Sequence, residues 1–88
     1  MRKMIFAAAF LAAGPALAGP TCTDAAQDTW LTEDKMKTMI AEQGFTDISL
    51  FKVTTGNCYE IYGIASDDTR VEVYFHPVTG EVVKREEI

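Results

Sequence analysis

Two cysteines are the residues whose chemistry the sequence limits most clearly. Cys22 and Cys58 are the only cysteines in the chain. In an exported protein such a pair predicts one disulfide between them. A redox pair or two metal ligands are the alternatives, but neither a Cys-x-x-Cys motif nor a histidine cluster accompanies these cysteines. We therefore expect a structural disulfide.

Acid–base chemistry has few candidates. His76 is the only histidine, so a serine-type triad or a multi-histidine metal site would have this one residue to use. Glu60 and Glu72 could lie on neighbouring strands, but an exposed, solvated sheet neither raises the pKa of a carboxylate nor excludes water. The sequence contains no Gly-rich phosphate loop and no dinucleotide fingerprint. It predicts no catalytic residue, no cofactor and no metal, and thus a protein that is not an enzyme.

The first eighteen residues have the layout of a signal peptide. Arg2 and Lys3 form a basic start, an apolar run covers residues 4–13, and Ala-Leu-Ala stands at residues 16–18. The apolar run is too short for a permanent membrane anchor, which needs about 20 residues. A retained anchor or an amphipathic helix is the alternative, although the run has no polar face. We predict cleavage after Ala18 and a mature chain that does not insert into the membrane.

Charge and size restrict the partners and the number of domains of the mature chain. Removing Arg2 and Lys3 leaves thirteen acidic residues against six basic ones, a net charge of −7. This charge makes nucleic acid a poor partner and favours basic ones. About 70 residues form one domain, near the size at which a hydrophobic core alone is marginal. A disulfide that closes a loop of about 35 residues should stabilise it by roughly 3 to 4 kcal/mol.

One amphipathic helix is predicted after an irregular N-terminal arm at residues 19–29. Thr32 is a good N-cap, because its hydroxyl can accept a hydrogen bond from a backbone N–H of the first turn. Apolar side chains then recur at helical spacing on one face, as at Met36 and Ile40. Gly44 ends the helix, since glycine readily adopts the left-handed conformation that follows a last turn. The helix has about eleven residues.

Short β-type runs alternate with turn residues in the remainder of the chain, which is typical of an antiparallel meander. The predicted strands cover residues 47–53, 58–65, 70–76 and 81–85, the last with a frayed, charged tail. The third run alternates most cleanly and places Val71, Val73 and Phe75 on one side.

The apolar stripe of the helix and the apolar side of the sheet need each other, because either surface alone would stay exposed to water. The sequence thus predicts an α+β fold at residues 30–88, with one amphipathic helix packed on one face of a three- to four-stranded antiparallel sheet. The other face would be polar and open to solvent. Its residues are Glu60, Tyr62, Arg70, Glu72, Tyr74 and His76.

One segment resembles a known family. Residues 71–82 read Val-Glu-Val-Tyr-Phe-His-Pro-Val-Thr-Gly-Glu-Val, which is similar to the end of PepSY domains: a strand, then Asp-Pro-x-Thr-Gly-Glu, then a short strand. The family is named for the propeptides of thermolysin-like metallopeptidases and a spore-cortex protein. Residues 30–32, 44–45 and 58–63 agree with the remainder of its pattern, so the resemblance spans nearly the whole mature domain.

His76 departs from that pattern, because it stands where the family usually has Asp. A neutral imidazole could still accept a hydrogen bond from a backbone N–H of the turn with one nitrogen, so we expect the turn to form. The resemblance implies an exported module that inhibits or regulates proteases or binds ligands at the cell envelope. It carries no catalytic residues over to this chain.

Two tyrosines indicate binding most clearly. Tyrosines in a polar surround, such as Tyr62 and Tyr74, are enriched in recognition surfaces, although an ordinary cross-strand pair is the alternative. We predict a non-catalytic periplasmic or secreted module that regulates or inhibits a protease or contacts an envelope protein through its polar face. The alternative is a periplasmic sensor of a small ligand or metal.

Overall fold

The computed structural model describes residues 19–88, so the predicted signal peptide at residues 1–18 lies outside the described residues. The elements are a 3₁₀ turn (Gln27–Thr29), α1 (Glu33–Glu42), β1 (Thr46–Val53), β2 (Tyr59–Ile64), β3 (Arg70–Phe75) and β4 (Val82–Glu87). Within this part of the chain, no helix has the length and apolar character needed to cross a membrane.

The segment before the 3₁₀ turn has no regular secondary structure, but contacts fix its position. A disulfide joins Cys22 to Cys58, with the two Cα atoms 5.2 Å apart, and this confirms the predicted bridge. The Cys22 N–H donates to the Gly56 carbonyl at 2.9 Å. Of the arm predicted at residues 19–29, the last three residues form the 3₁₀ turn. From here on we call residues 19–26 the arm, and it is attached to the turn between β1 and β2.

Capping residues set both ends of α1, as predicted. The Thr32 hydroxyl accepts a hydrogen bond from the Lys35 N–H at 3.2 Å, which satisfies one of the free donors of the first turn. Gln43 is the C-cap, and Gly44 follows with a φ of +96°, where a side chain would be strained. The helix has ten residues, close to the predicted eleven.

The four strands form one antiparallel sheet in the order β1-β2-β3-β4, which is the predicted meander. The pairing of β1 with β2 shifts register between Thr46 and Leu50, where Asp47 has a φ of +50°. Such a bulge bends an edge strand and makes it a poorer template for another strand. Regular pairing of β1 with β2 therefore runs from Leu50 to Val53.

The last strand is longer than predicted. We expected it to end near Arg85 with a frayed tail, but β4 continues to Glu87, which pairs with Val71 of β3. All six of its residues are exposed. An edge strand tolerates such charged side chains because both of its faces reach water, and the full length of β3 supplies backbone partners for it.

The helix packs on one face of the sheet, as predicted. Met36 and Ile40 of α1 are buried against the sheet, and the rings of Phe45 and Phe75 meet edge-on with centroids 5.8 Å apart. The other core residues are Tyr59, Ile61, Ala65, Val71 and Val73. Burial of each large side chain contributes about 1.5–3 kcal/mol, so this face supplies most of the hydrophobic stabilisation.

A tight turn at residues 77–80 joins β3 to β4. The Gly80 N–H donates to the His76 carbonyl at 2.8 Å, and Gly80 has a φ of +82°. His76 Nδ1 accepts a hydrogen bond from the Val78 N–H at 3.2 Å. The imidazole therefore makes the hydrogen bond that we predicted for it in place of an aspartate.

Removal of the disulfide should destabilise the fold. We expect the double variant Cys22→Ala/Cys58→Ala to lose about 3 to 4 kcal/mol of unfolding free energy, because the unfolded chain regains the entropy of an open loop. Urea unfolding of the variant and of the reduced parent would measure this loss. Two free thiols in the unreduced, denatured parent would contradict the bridge.

Attachment of the arm should be sensitive to bulk at Gly56. A Cβ atom at Gly56 would lie 2.2 Å from the Pro20 carbonyl oxygen, so Gly56→Ala must displace the arm or the turn. We expect a loss on the order of 1–3 kcal/mol, measured by urea unfolding. The exposed neighbour Thr55 provides the control Thr55→Ala, and an equal effect of both variants would show that the arm is not closely packed there.

Candidate functional site

The face of the sheet opposite the helix carries two rows of polar side chains. In one row, Glu60 of β2 pairs with Lys52 of β1 and with Tyr74 of β3. In the next row, Tyr62 of β2 pairs with Glu72 of β3. Alternate residues of a strand point to the same side, so these side chains share one face. We call the shallow groove that they line the acidic groove, formed by Lys52, Glu60, Tyr62, Glu72 and Tyr74.

Part of this face is covered, which corrects the prediction of an exposed, solvated surface. Only 4% of Glu60 and 9% of Tyr74 are exposed. Gly19 of the arm lies against the Tyr74 ring, because a Cβ atom placed on Gly19 would be 3.0 Å from the phenol oxygen. The disulfide brings the arm to this face, and no strand pattern in the sequence records that cover.

Burial changes the proton affinity of the two glutamates. Desolvation, followed by a hydrogen bond with Glu72 and repulsion from it, raises the pKa of Glu60 from 4.5 to about 7, although the charge of Lys52 opposes the rise. The hydrogen bond with Glu60 lowers the pKa of Glu72. The pair therefore keeps one proton at a pH where two separate glutamates would keep none. Our expectation that these carboxyl groups have ordinary pKa values was wrong.

The neighbours of the pair supply little positive charge. Lys52 Nζ lies 3.8 Å from Glu60 Oε1, and the lysine side chain is itself more than half exposed. The Tyr74 hydroxyl donates to Glu72 Oε2 at 2.9 Å. Burial and that hydrogen bond raise the pKa of Tyr74, so the hydroxyl stays a donor. Such a groove is suited to accept a cationic group that could replace the retained proton.

The structure brings together four of the six residues predicted for the polar surface, namely Glu60, Tyr62, Glu72 and Tyr74. Arg70 begins β3 and His76 follows its end, so the two lie about 20 Å apart at opposite ends of the strand. Neither of them lines the groove. Tyr62 is 39% exposed and is the aromatic side chain of the groove that is open to contact.

Two residues of the site were missed by the reading of the sequence. Lys52 shares a row with Glu60, and the alternation of β1 could have indicated it had the bulge been known. Gly19 reaches Tyr74 only because the disulfide fixes the arm. Among residues 19–88, no three His, Cys, Asp or Glu side chains are grouped closely enough to hold a metal ion.

Comparison with known protein families gives a match to a domain family. The sequence model of PepSY_2, described as peptidase propeptide and YPEB domain, matches residues 2–86. This match includes nearly all of the described residues and the strand-turn-strand segment on which the resemblance rests. No curated protein and no solved structure matches the chain.

The proton that Glu60 and Glu72 retain should make the stability of the unprocessed chain depend on pH. In that chain Gly19 is joined to Ala18 by an amide bond. The folded state binds more protons than the unfolded state between the ordinary pKa of 4.5 and the folded value of about 7. The free energy of unfolding should therefore fall by on the order of 1–3 kcal/mol from pH 5 to pH 8. Below pH 4.5 the lowered pKa of Glu72 acts in the opposite direction.

Urea unfolding at a series of pH values would measure this dependence. Glu60→Gln, which imitates the protonated acid, should flatten the curve between pH 5 and pH 8. Glu87→Gln removes an exposed carboxylate of β4 and should leave the slope in place. A parent whose stability is constant over this range would contradict the shifted pKa of Glu60.

Proposed function

Because the chain belongs to the PepSY family of peptidase propeptide and YPEB domains, we propose that it is a non-catalytic, exported module that binds a protease and regulates or inhibits it. The family match over residues 2–86 is the observation that carries this proposal. Contact with another envelope protein is the second form of the same activity. Export rests on the predicted signal peptide, and the disulfide is consistent with an oxidising compartment.

The acidic groove supplies a binding surface for such a partner. Tyr62 offers a half-open aromatic ring with a polar end, the type of side chain that anchors protein interfaces. It lies between Leu50 of the edge strand and Glu72 of β3. The exposed ammonium of Lys52 and the carboxyl groups of the groove surround it, so an apolar contact is framed by charges that select the partner.

The edge of the sheet next to Tyr62 provides a second means of contact. Among residues 19–88, β1 pairs with β2 and with no other strand, so its outer edge can receive an extended segment of a partner. The bulge disfavours such pairing before Leu50, whereas pairing is continuous from Leu50 to Val53. A partner segment added there would pass directly beside Tyr62.

Net charge favours a basic complement. The mature chain would carry a charge of −7, and the lowered pKa of Glu72 keeps a negative charge in the groove beside Tyr62. Opposite charge on the partner would speed association and fix its orientation more than it would raise affinity. We therefore propose that the contacted surface of the protease is basic.

Capture from the native cell envelope tests this proposal. The exported chain would be crosslinked to its partners, and the captured proteins would be identified and purified. We expect a peptidase, inhibited by the parent chain, and a loss of affinity of about tenfold or more for Tyr62→Ala, as for an interface anchor.

Val78→Ala is the matched control, because Val78 is an exposed apolar residue in the β3–β4 turn, away from the groove. It should bind like the parent. Tyr74→Ala is unsuitable, since Tyr74 is buried and its loss would disturb the arm. A captured peptidase whose activity the parent leaves unchanged would contradict regulation, and equal binding by both variants would exclude Tyr62 as the contact.

A further inference from the structure

We infer that the α-ammonium group of Gly19, once hydrolysis of the Ala18–Gly19 bond has released it, binds in the acidic groove of its own domain. The inference rests on the predicted cleavage after Ala18 and does not require a protein partner. It assigns the groove an intramolecular ligand that exists only in the processed chain.

The position of Gly19 is the first support. A Cβ atom on Gly19 would lie 3.0 Å from both Oη and Cε2 of Tyr74, so its backbone lies against the phenol ring. The same hydroxyl donates to Glu72 Oε2 at 2.9 Å. The nitrogen of Gly19 is one bond from its Cα atom, and it is therefore next to the groove in the folded chain.

The arm holds that nitrogen in place. Cys22 is bridged to Cys58 and its N–H donates to the Gly56 carbonyl. The Pro20 carbonyl oxygen lies 3.4 Å from Cys58 Sγ, so the arm is in contact up to the residue that follows Gly19. Little conformational entropy remains to be lost when the terminal amine binds, which favours an intramolecular contact.

The groove lacks a closely paired cation for its buried carboxyl groups. Glu60 is 96% buried and its nearest cation in the described chain, Lys52 Nζ, is 3.8 Å away and largely solvated. Lys84 of β4 pairs with Tyr74 and its charge acts on Glu72, but its Nζ lies 3.4 Å from Glu86 Oε2. When the Gly19 nitrogen is an amide, Glu60 and Glu72 share a proton, which reduces the negative charge that the nearby cations leave uncompensated.

A terminal ammonium would replace that proton. It has three N–H donors, which carboxylate oxygens accept in short, charge-assisted bonds. The groups that face it belong to two rows of the sheet: Lys52, Glu60, Tyr74 and Lys84 in one, and Tyr62, Glu72 and Glu86 in the next. Both glutamates would then ionise in the processed chain, and the terminal amine would hold its own proton more tightly.

Nuclear magnetic resonance of the exported, processed protein tests the inference. N-terminal sequencing should give Gly19 first. The ¹⁵N shift of the terminal nitrogen, followed through the Gly19 Hα protons, should titrate about one pH unit or more above the ordinary range of about 7.7–8.0. Glu60→Gln should return the titration most of the way to that range, whereas Glu87→Gln should leave it raised.

A second precursor, with Ser-Thr inserted after Ala18, moves the amine two residues from the groove. Its processed form should show an ordinary amine titration and recover the pH-dependent stability described for chains with an amide at Gly19. A first residue other than Gly19, an ordinary titration in the parent, or equal pH dependence with and without the insertion would overturn the inference. If the terminal amine titrates in its ordinary range, the groove stays free for a basic group of the protein partner. The capture experiment tests that partner separately.

Discussion

The disulfide between Cys22 and Cys58 is the constraint on which both faces of the sheet depend. Cys58 immediately precedes β2, and by strand alternation it shares a face with Glu60. The bridge therefore brings the arm to the polar face and leaves the apolar face to α1. In a domain of about 70 residues, one helix cannot cover both faces, so a short covalently held arm covers part of the second face.

The same segment also connects the two faces. After the arm, Trp30 packs edge-on against Tyr59 with ring centroids 5.6 Å apart. The Tyr59 hydroxyl donates to the Leu31 carbonyl at 2.7 Å, and the Leu31 N–H donates to the Pro77 carbonyl at 2.8 Å. The chain thus enters α1 from a fixed position, and the β3–β4 turn that characterises the family forms part of that anchor.

The acidic groove is a feature that stability alone does not explain. Two carboxyl groups in a covered site cost desolvation free energy, which the half-exposed Lys52 and Lys84 offset only in part. Apolar residues at Glu60 and Glu72 would serve the packing of the domain at lower cost. Retention of the carboxyl groups is therefore consistent with a binding role, whether the cation is the chain's own terminus or a basic group of a regulated peptidase.

The sequence by itself determined the elements and the fold class, because local chemistry controls them. Thr32 and Gly44 set the limits of the helix, alternation around Val73 set the inward face, and the cysteine count indicated the bridge. Tertiary structure alone decided that Glu60 is buried and keeps a proton near neutral pH. Gly19, from a segment far away in the chain, lies against Tyr74 in the same row as Glu60, and local patterns do not record which segment covers a strand. The extension of β4 to Glu87 was likewise set by the backbone partners that β3 offers.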